Sequence, residues 1–117
     1  MGDVVARQLL AYNARDLDGF MRCWRDDACL YAFPDKLVAA GRDAIRQRHE
    51  ARFAEPWLSA ELLARHVAGH IVVDHERVTR TRDGSPMKVL VLAIYEVDQS
   101  GLIASARFAE GPDAGGR

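Results

Sequence analysis

The chain has 117 residues, of which 49% are hydrophobic and 28% charged, with a formal net charge of −1. That is enough apolar material for one ordinary core, too little length for two domains, and too hydrophobic a balance for a disordered chain. Sixteen basic residues face seventeen acidic ones, so the basic excess needed to neutralise nucleic-acid phosphates is missing. The longest apolar run, residues 89–95, falls far short of the roughly 20 residues of a membrane-spanning helix. Met1-Gly2-Asp3 opens without a basic region or an apolar signal core, and Ala6 stands where a myristoylation motif carries Ser or Thr. Two cysteines, Cys23 and Cys29, suit a reduced protein with buried thiols better than a disulfide scaffold. The expectation is a cytoplasmic protein that engages neither nucleic acid nor membrane.

Asp3 is placed to cap a first helix whose face carries Val5, Leu9 and Tyr12. Asn13-Ala14-Arg15-Asp16 interrupts it, and Asp16 caps a shorter second helix with Phe20, Cys23 and Trp24 as its apolar stripe. After Asp26-Asp27 a short strand is predicted over 28–33, and Pro34-Asp35-Lys36 reads as a loop. Gly41-Arg42-Asp43 opens a third helix, with Ile45, His49 and Phe53 facing inward, until Pro56 stops it. From Leu58 onward the pattern turns to strands, predicted over 59–68, 70–81, 87–97 and 102–109. Asp83-Gly84 and residues 98–101 are the hairpin turns between them. Residues 111–117 read as a flexible tail, leaving 1–110 as a single domain. Helices first and an antiparallel meander after argue an α+β domain, with three helices on one face of a curved antiparallel sheet and a cavity between the layers.

Tyr12-Asn13-Ala14-Arg15-Asp16-Leu17-Asp18-Gly19-Phe20, followed by Trp24-Arg25-Asp26-Asp27-Ala28, resembles the opening of the nuclear transport factor 2-like superfamily, which includes SnoaL-like polyketide cyclases and ketosteroid isomerases. Gly41-Arg42-Asp43-Ala44-Ile45-Arg46 is similar to that group's third-helix start, and Ile94-Tyr95-Glu96-Val97 with Gly101-Leu102-Ile103 to its closing hairpin. The resemblance spans residues 4–110 and implies a cone-shaped α+β barrel with a deep apolar pocket, dimeric through the outer face of the sheet. Ketosteroid isomerases hold an oxyanion with a tyrosine and a protonated carboxylic acid, and move the proton with a carboxylate. The matching positions here are Gln8, Ala93 and Ala32, none of which can do that work.

Chemistry must therefore come from elsewhere. His66 and His70 are four residues apart on a strand, roughly 13 Å, too far for one metal ion. Asp74, His75 and Glu76 alternate across a strand and cannot converge, so no metal site is expected. His75 and His66 are the acid–base candidates, because an imidazole exchanges protons near neutral pH with little tuning; the alternative is a hydrogen-bonded surface histidine. His49, between Ile45 and Phe53, reads as a satisfied core residue. Tyr12, Tyr31, Phe53, Trp57, Val91, Ala93 and Tyr95 are the candidate pocket lining, with Tyr95 either donating to a ligand carbonyl or packing in the core. Arg107, opposite in parity to Ala106 and Phe108, reads as an outer-face residue. No nucleophile elbow, phosphate loop or dinucleotide fingerprint occurs, and no cofactor is implied. The expected function is a SnoaL-like domain that binds a small hydrophobic or partly polar organic molecule, as an isomerase, cyclase or hydratase. The alternative is a non-catalytic binding or accessory dimerisation protein.

Overall fold

The computed structural model describes residues 1–113. Its elements in chain order are α1 (Gly2–Ala14), α2 (Leu17–Met21), β1 (Trp24–Ala32), β2 (Lys36–Ala40), α3 (Arg42–Phe53), β3 (Ser59–Ala68), β4 (Ile71–Arg82), β5 (Ser85–Val97) and β6 (Ile103–Pro112). The α1 helix begins without a side-chain cap; Asp3 lies one residue inside it, where its charge favours the N-terminal dipole instead. Asp16 does cap α2, its Oδ1 accepting from the Gly19 amide at 3.0 Å. That helix stops at Met21, so Cys23 and Trp24 leave it, and Trp24 starts β1 four residues before the strand predicted over 28–33.

The motif around Asn13 ties helix to sheet. The Asn13 side chain accepts from the Ala60 amide at 2.8 Å and donates to the Ala60 carbonyl at 2.9 Å. Arg15, with φ 57° at the end of α1, donates from its guanidinium to the carbonyls of Phe53, Glu55, Pro56 and Leu58. Those four carbonyls lie where α3 passes into β3, so one side chain fixes that connection against α1.

The sheet has the order β2-β1-β6-β5-β4-β3. The segment after Pro34 is a turn followed by β2, which pairs antiparallel with β1 through Cys29↔Ala40 and Ala32↔Lys36. The β1–β6 pair is parallel, with Leu30↔Ala106 and Ala32↔Phe108. The sheet is therefore mixed, not purely antiparallel: the chain leaves β1, makes β2, α3 and three further strands, and returns as β6 beside β1 running the same way. Asp83 (φ 52°) and Gly84 (φ 76°) both take the left-handed backbone that a tight β4–β5 hairpin requires. The last strand runs further than expected, since Gly111 and Pro112, assigned to the tail, pair with Leu90 and Val89. Residues 114–117 of that tail lie outside the described residues.

The pleat sorts the side chains. On β4, Val72, Asp74, Glu76 and Val78 point inward and are buried, while Val73, His75 and Arg77 point out. On β5 the inward set is Val91, Ala93, Tyr95 and Val97. This inner face closes on α1, α2 and α3 around Phe20, Trp24 and Ile45, burying apolar surface at about 25 cal/mol per Å².

Candidate functional site

A cavity of about 480 Å³ lies between the helices and the inner face of the sheet, within the range of small-molecule sites. Its apolar walls come from Leu9, Leu30, Val78, Val91 and Phe108. Against that background stand a few polar groups.

Glu76 lines the cavity from β4, and its Oε2 is buried with no hydrogen-bond partner among the described residues. Burial, then the charge of Asp74, pushes its carboxyl up to about 7, with Arg65 pulling the other way. Asp74, two residues earlier on the same face, has 0% exposure and is gripped by Arg65 through Nε at 2.7 Å and Nη2 at 2.9 Å. Burial first, and the neighbouring Asp74 second, explain why Glu76 holds its proton to near neutrality.

Tyr95 lies on the adjacent strand. Its hydroxyl accepts from Gln8 Nε2 at 3.1 Å, which leaves its own hydrogen to donate. Burial, then the Glu76 and Asp74 charges, holds the phenol well above its ordinary value, so it stays a donor. The Trp24 indole N–H is a second donor in the same cavity without a partner among the described residues. His49 also borders the cavity, but its Nδ1 sits 2.8 Å from the Ile45 carbonyl and its ring 4.4 Å from Phe20. Burial pushes it down to about 4, leaving a neutral histidine with a structural partner.

The other side of the cavity carries three guanidiniums and the Glu110 carboxyl. Arg48 and Arg52 from α3 and Arg80 from β4 line it. Arg80 holds Glu55 with Nε to Oε1 at 3.0 Å and Nη2 to Oε2 at 2.6 Å. Burial raises the Tyr12 phenol, opposed by the charge and hydrogen bond of Arg52.

Of the residues singled out in the sequence, Tyr12, Tyr31, Val91 and Tyr95 border the cavity. Arg107 lies over the Tyr31 ring at 4.5 Å. Ala93 faces inward but is fully covered, and Phe53 packs edge-on against Tyr12 at 5.4 Å in the core rather than lining the site. Trp57 is 49% exposed and bonds the Gly84 carbonyl across the β4–β5 hairpin, outside the cavity. The acid–base candidates are displaced. His75 points to the outer face opposite Leu92, and His66 is exposed opposite Val73 on that same face. The strand parity that turns Val72 and Val78 inward sends Asp74 and Glu76 in and His75 out. On β4 it is Glu76 that faces the cavity, and its signal in the sequence is its phase with Val72 and Val78. The three arginines carried no local signal. Gln8 and Ala32 line the cavity, so two of the positions matched to isomerase machinery do face the site.

Comparison with known proteins agrees with this architecture. A family model described as SnoaL-like domain matches residues 5–106. The crystal structure of an uncharacterized cystatin-fold protein from Novosphingobium aromaticivorans is 29% identical over 91% of this chain and 94% of that one, with a TM-score of 0.80. No curated protein matches the sequence significantly. The chain belongs to the SnoaL-like domain family, a member of the nuclear transport factor 2-like superfamily.

Proposed function

We propose that the cavity binds a small, largely apolar organic molecule and that Glu76 exchanges a proton with it, in a reaction of the isomerase, cyclase or hydratase type. The observation that carries this reading is Glu76 itself: a carboxyl on a cavity wall, with one unpartnered oxygen and a pKa near 7. A group poised there is part acid and part base at neutral pH, which is where general acid–base catalysis is most effective. For a ligand with a carbonyl, the Glu76 carboxylate takes a proton from the neighbouring carbon. The C–H electron pair moves into a new carbon–carbon double bond while the carbonyl pair moves onto oxygen. Tyr95 O–H donates to that oxygen, and Glu76 returns the proton to the same or another carbon, ending as it began.

The test is solvent-deuterium exchange into the acidic carbon of 2-tetralone, followed by proton NMR. The protein is expected to accelerate exchange over buffer, and Glu76→Gln to lose about a hundredfold of that acceleration or more. Equal rates for the two proteins would sink the reading. Binding without turnover is the second reading, favoured by Gln8, Ala32 and Ala93 standing where isomerases carry their acid–base set. It leaves exchange at the buffer rate while the ketone still raises Tm.

The same proposal pairs two copies through the outer sheet face, where Ile71 (38% exposed) and Leu92 (44% exposed) sit beside Val73 and Ile94. An exposed apolar strip of this kind suits pairing with a second copy. Leu92→Asp is expected to convert a dimer to a monomer in size-exclusion light scattering, and a monomeric parent protein would contradict the pairing.

A further inference from the structure

We propose that Arg48, Arg52 and Arg80 form an anion subsite in the cavity, so that the molecule presented to Glu76 carries a single carboxylate. The inference rests on the proton-transfer reading of the same cavity and narrows its substrate class to organic monocarboxylates.

Three features of the arrangement point to it. Arg48 and Arg52 are one helical turn apart on α3, so their side chains project together. Arg80 reaches the same place from β4, on the inward parity of Glu76 and Val78 and four residues beyond Glu76. That separation is roughly 13 Å along the strand, which puts the guanidiniums and the proton-exchanging carboxyl at different parts of one cavity. An apolar molecule spanning them would meet a cation at one end and Glu76 at the other.

The second feature is how the three cations are used. Glu55 is committed to Arg80 through three bonds and to the Thr81 amide at 2.8 Å. Arg52 has only a 3.8 Å contact with that same carboxylate, besides the Tyr12 hydroxyl. Arg48 has no hydrogen bond or ion pair with any described residue, and the acid whose charge reaches it is the exposed Glu110. Three guanidiniums thus face two carboxylates, leaving one positive charge. One carboxylate fits that balance, and a doubly charged phosphate overshoots it. The planar fork of a guanidinium also matches the two oxygens of a carboxylate.

The third feature is that like charges are held together, with Arg48 exposed and Arg52 and Arg80 half-buried. Desolvation, then the charges of Arg52 and Arg80, lowers the Arg48 guanidinium below its ordinary value, a strain that an arriving anion relieves. A groove bordered by Val38, Gln47 and Ala51 reaches the same three arginines from outside, giving an anion a route in.

The test is isothermal titration of the whole protein with naphthalene-2-carboxylate and its uncharged analogue naphthalene-2-carboxamide, at about pH 6 where Glu76 is largely protonated. The carboxylate is expected to bind about tenfold more tightly than the amide. Added salt should narrow that margin, and Arg48→Gln should remove most of it. Arg82→Gln, the same charge change on an exposed residue at the far end of β4, should retain it. Equal affinity for acid and amide in the parent protein, or a preference that survives Arg48→Gln, overturns the subsite while leaving the cavity's proton-transfer reading intact. Binding of neither probe overturns both.

Discussion

Replacing Glu76 by glutamine is expected to stabilise the protein at about pH 8, by about 3 kcal/mol. The folded carboxyl has been pushed from 4.5 up to about 7, and each unit of such a gap corresponds to about 1.4 kcal/mol. Because the folded pKa is the higher one, the native state holds its proton after the unfolded chain has released it. Stability from this group is complete below pH 4.5 and is lost as the pH rises through 7. Glutamine keeps the shape and never ionises, so the loss disappears. His49 runs the other way: burial takes it from 6.5 down to about 4, so the unfolded state gains its proton first and stability falls as the pH drops below 6.5. The two shifts are similar in size and overlap between about pH 4.5 and 6.5, where they offset each other. Urea denaturation should therefore find the parent protein nearly flat across that window. Glu76→Gln should climb with pH there, and His49→Leu should decline. A Glu76→Gln protein no more stable than its parent at about pH 8 would contradict the burial described for this carboxyl.

Arg65→Ala carries the second large effect, a loss of about 3–5 kcal/mol. Its guanidinium supplies both hydrogen bonds to a fully buried Asp74, and alanine leaves that carboxyl without its partner beside Glu76. Removing the partner of a buried charge costs far more than removing the pair. The double variant Arg65→Met with Asp74→Leu should recover most of the stability, while burial keeps the Glu76 carboxyl raised. Chemical denaturation of the single and double variants separates the terms as a double-mutant cycle. A single variant that loses less than about 1 kcal/mol would show that Asp74 is not held as the structure describes.

Much of the fold was legible because its signals are local. Asp16 caps within three residues, Asp83-Gly84 forces its own turn, and runs rich in β-branched and apolar residues mark β4 and β5. Where local signals conflicted, the sequence misled. Arg25-Asp26-Asp27 hides the first half of β1 behind exposed charges, and β2 is a five-residue strand directly after a proline loop. The parallel partnership of β1 with β6 joins segments more than seventy residues apart, which no window of sequence encodes. The site divides in the same way. Tyr95 followed from parity within its own strand. On β4 the choice between His75 and Glu76 depended on which face the helices cover, and the apolar Val73 is out of phase with the equally apolar Val72 and Val78. Arg48 and Arg52 look like a solvated helix face until Arg80 arrives from another strand, and only the folded chain makes them a cluster.

The account turns on one carboxyl, and its titration tests it most directly. Carbon-13 NMR of labelled protein, with the Glu76 carboxyl signal assigned by its disappearance in Glu76→Gln, reads that proton alone. A midpoint near 7 that falls when Asp74 is replaced by asparagine is the expected result. A midpoint at 4.5, the value of an ordinary glutamate, would mean a solvated side chain and would remove the basis for proton transfer in this cavity.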